Sequence, residues 1–514
     1  MKPYTLLDIF GQGAWNGGTL VDNTNFEKLA MAFKGGIPVT DESIRDRIGV
    51  RTRISAPEDV RIGEIALQNL LDEVEMDPER IKLIIGATNV GEDKQDPGPL
   101  VKHPHAQIKD RCPNATALDL YAGCPGFNVA VELLFMLSLG GILKKDDISI
   151  IVGAENLHRA KAFQSHDTAT IIFGDDAVAT ALKTRTTVRP QGSHTCGDRI
   201  TIPVSDTFVE DIAAVLCERV GSANWDGIIV DNQLGRIEHR APAIAARIQQ
   251  AFVEKQYPEM AAAGIFGKFR DALAFYDQHI NAFAFDIMSL DKDPGFVEKI
   301  GRAYTESGKY SDILTIYLDP ETGIVIQHHH GRKYRFQPPA YGIIDTATRT
   351  HGCFGSFIQA ITVGGEVFGE MDGKGVFLYA TRGAAAHLSA LLMRNQLSIA
   401  DIDLLVEHQA NFAMLPMTLL QLLAESPDPD LAVREFLADK MVTNIHTRGN
   451  CSVVCMQRLP YDLHRDALEP DEIQGFPVNR NLAALKNAGN ILHDSVGAGM
   501  TRSSFLRRVK TTPE

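Results

Sequence analysis

Ala117-Leu118-Asp119-Leu120-Tyr121-Ala122-Gly123-Cys124-Pro125-Gly126-Phe127 is the stretch on which the reading of this chain turns. Ala117 to Tyr121 reads as a strand. Gly123 admits a tight turn that a side chain would obstruct. Pro125 suits the first turn of a helix, where its missing N–H has no partner to lose. An apolar helix is predicted from there to Leu139, stopped by Gly140-Gly141. Cys124 therefore stands at a strand-to-helix corner. The partial positive charge of a helix N-terminus favours thiolate over thiol there, and the Cys124 N–H is free to donate to an oxyanion. A small cysteine packing a buried turn accounts for the same residue. The Gly-Cys-Pro-Gly-Phe setting weighs toward a nucleophile.

Outward from this corner, strand and helix signals alternate, which points to α/β architecture. Val60 to Leu71 has helical periodicity, a Met76-Asp77-Pro78 turn follows, and Ile81 to Ile85 reads as a buried strand. The same succession returns downstream. Ala384 to Leu392 reads as a helix, Ser398 to Asp401 as a turn and Ile402 to Val406 as a buried strand. Two halves built alike suggest an internal duplication, with a site where their strand ends meet. The middle third, 185 to 341, looks different and is treated as an inserted α+β segment. It carries the aromatics Phe269, Phe275, Tyr276, Phe283 and Phe285 and the basic stretch His328-His329-His330-Gly331-Arg332-Lys333-Tyr334-Arg335. Its Trp225-to-Gln233 stretch faintly echoes Asp403 to Gln409. We read that echo as chance likeness between strand-to-loop units, with a partial third copy as the alternative.

Bulk properties exclude several classes. With 514 residues, 44% hydrophobic and 23% charged, the chain has a soluble globular balance. A net charge of −14 without a long Lys/Arg block argues against nucleic-acid binding. No apolar run reads as long enough to span a membrane. Asp8 interrupts the stretch a signal peptide would need, so secretion is not expected. Seven cysteines without a CxxC pair point away from a disulfide framework or zinc ribbon and toward a reduced, cytoplasmic protein.

A cysteine that makes a carbon–carbon bond needs donors to hold an enolate oxygen. Glu407-His408-Gln409-Ala410-Asn411 and Gly449-Asn450-Cys451-Ser452 offer them, both at strand or loop ends. Ser495-Val496-Gly497-Ala498-Gly499-Met500-Thr501 is a glycine-rich turn whose backbone can approach a ligand. Taken singly, each has a plain structural explanation.

Together these motifs resemble the β-ketoacyl-acyl-carrier-protein synthase III family of the thiolase superfamily. The order matches: Cys-x-Gly-Phe at Cys124, His-Gln-Ala-Asn at His408, Gly-Asn-x-Ser at Asn450, then the glycine-rich turn. Ile48-Gly49-Val50-Arg51-Thr52-Arg53, Val152-Gly153-Ala154-Glu155, Phe173-Gly174-Asp175-Asp176-Ala177 and the segment from Gly342-Ile343-Ile344 to Met371-Asp372-Gly373 look like further landmarks. The resemblance implies a thiolase-like duplicated α/β fold in five layers (αβαβα). Residues 1–184 would form the half with the nucleophile, 185–341 the insertion, and 342–514 the half with His and Asn.

It implies catalysis by Cys124, His408 and Asn450, and an oxyanion hole from the backbone N–H groups of Cys124 and Ala498. Arg47, Arg159, Phe127, Gly497 and Gly499 would bind substrate. Substrates would be acyl-coenzyme A or acyl carrier protein, with no cofactor or metal, in a homodimer. Cys124 would take an acyl group from a thioester and condense it with a malonyl- or β-keto-type thioester. Relatives that transfer acyl groups to alcohols or amines, hydroxymethylglutaryl-type synthases and non-catalytic subunits are the alternatives.

This sequence departs from the family in three ways. Ser43 stands where the family commonly has a tryptophan that stacks on coenzyme A. Ala498 replaces a glycine, and Arg502-Ser503 replaces Trp-Gly. The insertion is absent from ordinary members. It is expected to cap the pocket mouth or dock a partner, with Arg332 to Arg335 meeting a phosphopantetheine or an acidic carrier; a solvated strand is the plain reading. The loop from Thr88 to Leu100 is expected to influence chain length. His328 to His330 are read as a surface run, because three consecutive strand residues do not converge on one ion.

Overall fold

Runs such as Ile81-Lys82-Leu83-Ile84-Ile85 and Ile148-Ser149-Ile150-Ile151-Val152 are rich in β-branched and apolar residues, the pattern of strands covered on both faces. The computed structural model describes residues 4–89, 111–164, 167–189, 192–204, 208–219, 225–231, 240–256, 282–289, 295–319, 321–334, 337–364 and 366–510. The loop 90–100, the aromatics Phe269, Phe275 and Tyr276, and Arg335 lie outside them.

The first unit has strands β1 (Leu7–Ala14), β2 (Ile81–Ala87), β3 (Thr116–Tyr121), β4 (Ile148–Glu155) and β5 (Asp176–Thr184), and helices α1 (Asp41–Ile48), α2 (Ile62–Glu73) and α3 (Gly126–Leu139). The middle segment has β6 (His194–Ile202), β7 (Gly227–Asp231), β8 (Phe283–Ser289), β9 (Asp312–Asp319) and β10 (Gly323–Gly331), with α4 (Phe208–Arg219), α5 (Arg240–Gln256) and α6 (Gly295–Glu306) between them. The last unit has β11 (Gly342–Thr350), β12 (Leu404–Glu407), β13 (Asn490–Gly497) and β14 (Thr501–Arg508), with α7 (Gly373–Arg394) and α8 (Cys455–His464).

Ten strands form one sheet in the order β1-β5-β4-β2-β3-β8-β7-β9-β10-β6, and β11-β14-β13-β12 form a second. In the first unit β2 is parallel to β3 and β4, while β5 runs antiparallel to β4 and β1. The middle segment repeats this: β7 is parallel to β8 and β9, while β10 runs antiparallel to β9 and β6. The last unit repeats it again with β12 parallel to β13, β14 antiparallel to β13 and β11, and a single parallel bridge from Leu405 to Met441 in place of the third strand. Where an α+β insertion was expected, a third α/β copy stands. The described part of the echo, Trp225 to Asp231, leads into and forms β7, the topological counterpart of β12; Gln233 lies outside the described residues.

Helices complete the layers. α2 covers the outer face of β1, β5 and β4. α3, buried along its whole length, lies between the sheets and touches β2 and β4 on one side and β11 and β14 on the other. α7 covers the second sheet. By length and composition α7 could cross a bilayer, which the sequence reading did not expect. Its apolar face, with Tyr379, Ala384, Leu388 and Leu391, is buried as in a core helix.

Candidate active site

Three parallel strands of the first unit end at one place, as ligand sites in α/β sheets favour. β3 leads to Cys124, β2 to Asn89, and β4 ends on Glu155. Gly123 adopts φ +69°. A Cβ there would lie 2.6 Å from the Ala498 nitrogen, and one on Gly497 would lie 2.5 Å from the Cys124 nitrogen. Glycine is what lets the corner of the first unit and the turn of the last close on each other. Gly499, at φ +73°, carries the turn onward and packs against Pro242 of α5.

The Asn450 segment reaches the same point. Ser452 Oγ lies 3.3 Å from Cys124 Sγ and accepts from Asn89 Nδ2 at 2.7 Å. Asn89 also donates to Glu155 Oε1, from its backbone N at 3.0 Å and its Nδ2 at 2.6 Å. Ser452 holds φ +49°, costly for a residue with a Cβ. Its N–H donates to Asn450 Oδ1 at 2.8 Å. That bond fixes the Asn450 amide and leaves its NH₂ as the end that can donate. The Asn450 N–H donates to Ile172 O at 2.8 Å, tying the segment to the first unit.

His408 follows β12 directly and donates its N–H to Asp494 O on β13 at 2.9 Å. β12 and β13 are parallel, so His408 shares a sheet end with Gly497. The ring is buried with no hydrogen bond to Nδ1. Burial lowers its pKa to about 4, so the imidazole is neutral at physiological pH.

Electrostatics at Cys124 depart from expectation. Burial pushes the thiol up to about 12, the Ser452 hydrogen bond lowers it and Glu155 adds to the rise. The charge at a helix N-terminus was expected to favour thiolate; loss of solvation outweighs it. Burial also raises Glu155, to about 8.

Other residues implied by the resemblance are spent differently. Phe127 is buried edge-on to Phe505 between the two sheets. The Arg159 guanidinium donates to Pro57 O and, at 2.7 Å, to Val60 O. Arg47 is exposed on α1, its guanidinium over the Phe33 ring. Ser43 forms a capping box with Thr40 at the start of α1. Sequence reasoning missed Ser452, Glu155 and Asn89 as a connected group. Only the motif around Asn450 and the end of the Val152-to-Glu155 strand hinted at two of them.

A duplicated α/β core that closes a cysteine corner against a glycine-rich turn in this way is thiolase-like. The comparisons agree with that fold. No family model matches the chain. It is 26% identical over 222 residues to the β-ketoacyl-[acyl-carrier-protein] synthase III of Wolbachia sp. subsp. Brugia malayi, covering 42% of this chain and 64% of that protein. It is 28% identical over 174 residues to a second such synthase, from Staphylococcus epidermidis, covering 33% and 49%. The chain thus spans 64% and 49% of the length of these relatives. Its structure is similar to that of 3-oxoacyl-[acyl-carrier-protein] synthase III from Aquifex aeolicus, with TM-score 0.54 and 16% identity over 98% of this chain and 100% of that one. The last likeness establishes the fold.

Proposed function

We propose that this chain is an acyltransferase of the β-ketoacyl synthase III type that forms an acyl-cysteine at Cys124 and condenses it with a malonyl- or β-keto-type thioester. The observation that carries the reading is the convergence on Cys124 of the Gly497-Ala498 backbone and the Asn450–Ser452 pair. In the first half-reaction the Cys124 sulfur attacks the thioester carbonyl carbon, the donor's C–S bond breaks, and the thiol proton leaves with the departing thiol. The N–H groups of Cys124 and Ala498 hold the transient oxyanion. In the second, a malonyl thioester loses carbon dioxide. Its enolate oxygen is held by neutral His408 and the Asn450 NH₂, and its carbon attacks the acyl-cysteine. The Cys124 sulfur leaves as thiolate and takes up a proton. Each such donor is worth roughly 10²–10³ in rate.

The donor is acyl-coenzyme A or acyl carrier protein. In this reading Arg47 is the cation left to meet a phosphate, since Arg159 is held by two carbonyls. The six cysteines whose side chains are described are all free, which supports a reduced, cytoplasmic setting. Intact mass after incubation with a panel of acyl thioesters, beside a Cys124→Ala control, tests the reading. A mass gain lost in the control supports it. No gain with any donor, or a gain that survives the substitution, would overturn it.

A further inference from the structure

We propose that the middle segment is a built-in second subunit, a copy of the first unit that has lost its nucleophile, and that the protein therefore works as a single chain with one active site. The join between units carries the argument. β3 and β8, the third strands of their units, pair antiparallel, with Asp119 opposite Met288, Leu120 opposite Ile287 and Leu118 opposite Ser289. In sequence, Pro294-Gly295-Phe296 repeats Pro125-Gly126-Phe127 169 positions later, and α6 begins at Gly295 as α3 begins at Gly126. Met288 follows Asp119 by the same 169 positions, so the residues paired at the centre of the ladder are each other's counterparts. A local two-fold axis passes between them. Equivalent surfaces meeting across such an axis make an isologous interface, the kind two separate copies form. The equivalent helices also meet: a Cβ on Gly140, which caps α3, would lie 2.7 Å from the Ala303 Cα on α6.

The copy has no nucleophile. Before Pro294, where the first unit has Cys124, the middle segment has Asp293. It is also fixed in place. Tyr310 donates to buried Glu132 of α3, and Lys309 lies 3.0 Å from Asp345 of β11, whose side chain is fully buried. Arg394 of α7 holds the same carboxylate at 2.6 Å. These bonds tie the middle segment to both other units. In addition, α5 backs the glycine-rich turn through Pro242 against Gly499, and Gln249 Nε2 donates to Thr350 O at 3.0 Å. With β8 seated on β3, the edge through which a second chain would add is taken, and the homodimer expected from the resemblance is not needed.

Light scattering on the full chain across a hundredfold concentration range tests this independently of acylation. We expect a mass near 56.3 kDa throughout. A stable species of about twice that mass would overturn the proposal, whether or not the thioester panel labels Cys124.

A second inference rests on a different observation: we infer a divalent-metal site in the same segment at His328, His330 and Asp312. The sequence reading kept these histidines apart from metal because consecutive residues diverge. His328 and His330 alternate along β10, however, and share a face. Asp312 of β9 sits opposite His330. All three ligand atoms lie within 4.8 Å of one another. His330 Nδ1 is 2.9 Å from Asp312 Oδ1, while His328 Nε2, 3.4 Å from that oxygen, makes no hydrogen bond. Ser311 Oγ fixes the other carboxylate oxygen at 2.7 Å, as a supporting bond to a ligand does. A Cβ on Gly197 would come within 2.5 Å of the His330 ring, so glycine leaves the ring its room. Two imidazoles and one carboxylate with an open position suit zinc. Zinc competition against a chromophoric chelator should find one equivalent more in the wild type than in His328→Ala/His330→Ala, with circular dichroism unchanged. Equal stoichiometry at micromolar zinc would overturn the inference.

Discussion

The first unit and the middle unit have the same strand order and directions, and opposite chemistry. One ends its third strand at Gly123-Cys124-Pro125. The other, at the same place in sequence, carries Asp293-Pro294. The corner of the first faces the Gly497-Ala498 turn and the Asn450–Ser452 pair. The topology is kept where the chemistry is lost, so the sheet serves two ends: holding a site, and holding another sheet.

The sharpest way to break this comparison is to remove Cys124 and the residue at the matching place in sequence, Asp293. Cys124→Ala should abolish acyl-enzyme formation and lower turnover on the order of 10⁴-fold or more. Asp293→Ala should leave turnover within twofold. Equal losses in a turnover assay would put chemistry in the middle unit. Next in size, His408→Ala and Asn450→Ala should each cost roughly 10²–10³ in condensation while Cys124 still acylates. Single-turnover mass measurements separate the two steps, and a loss of acylation would move these residues to the other half-reaction.

The corner was legible because its geometry is local. Gly123, Pro125 and the apolar run to Leu139 dictate a turn and a helix, and α3 ends at Leu139 with Gly140 as its cap. His408 and Asn450 were legible as motifs at strand ends. The third copy was not. Its likeness lies in ladder directions, and any β-branched run satisfies those, so β7 and β12 share little beyond an apolar run closed by an acidic residue. The Ser452 link was hidden for another reason. Its φ of +49° belongs to a residue type that seldom adopts it, and no spacing rule announces it. The thiol's pKa depended on burial, which a helix start does not reveal.

A third test addresses what holds the units together. Lys309→Ala removes a cation from beside Asp345 but leaves Arg394 in place. The loss should be about 2 kcal/mol in urea denaturation, below the full cost of stranding a buried charge. Arg302→Ala, on an exposed i,i+4 pair of the same unit, should change stability by less than about 0.5 kcal/mol. Equal effects would mean that the middle unit is only loosely docked.

The smallest effect expected is the most specific to the site. Glu155 has its carboxyl raised from 4.5 to about 8 by burial and, once ionised, opposes thiolate at Cys124. Below pH 8 it is largely neutral, so Glu155→Gln should leave Cys124 alkylation by iodoacetamide unchanged at pH 6.5. Above pH 8 the wild type carries the extra charge and the variant does not. At pH 9.5 the variant should therefore alkylate a few-fold faster. Stability follows the same group. Between pH 4.5 and 8 the folded state binds a proton at Glu155 that the unfolded chain has released, so stability falls as pH rises through that window. Glu155→Gln should flatten the fall in denaturation midpoint from pH 5 to pH 8. If alkylation at pH 9.5 and this slope both stay as in the wild type, Glu155 is not the charge beside the nucleophile. The difference between the two units would then rest on Cys124 and the turn that faces it.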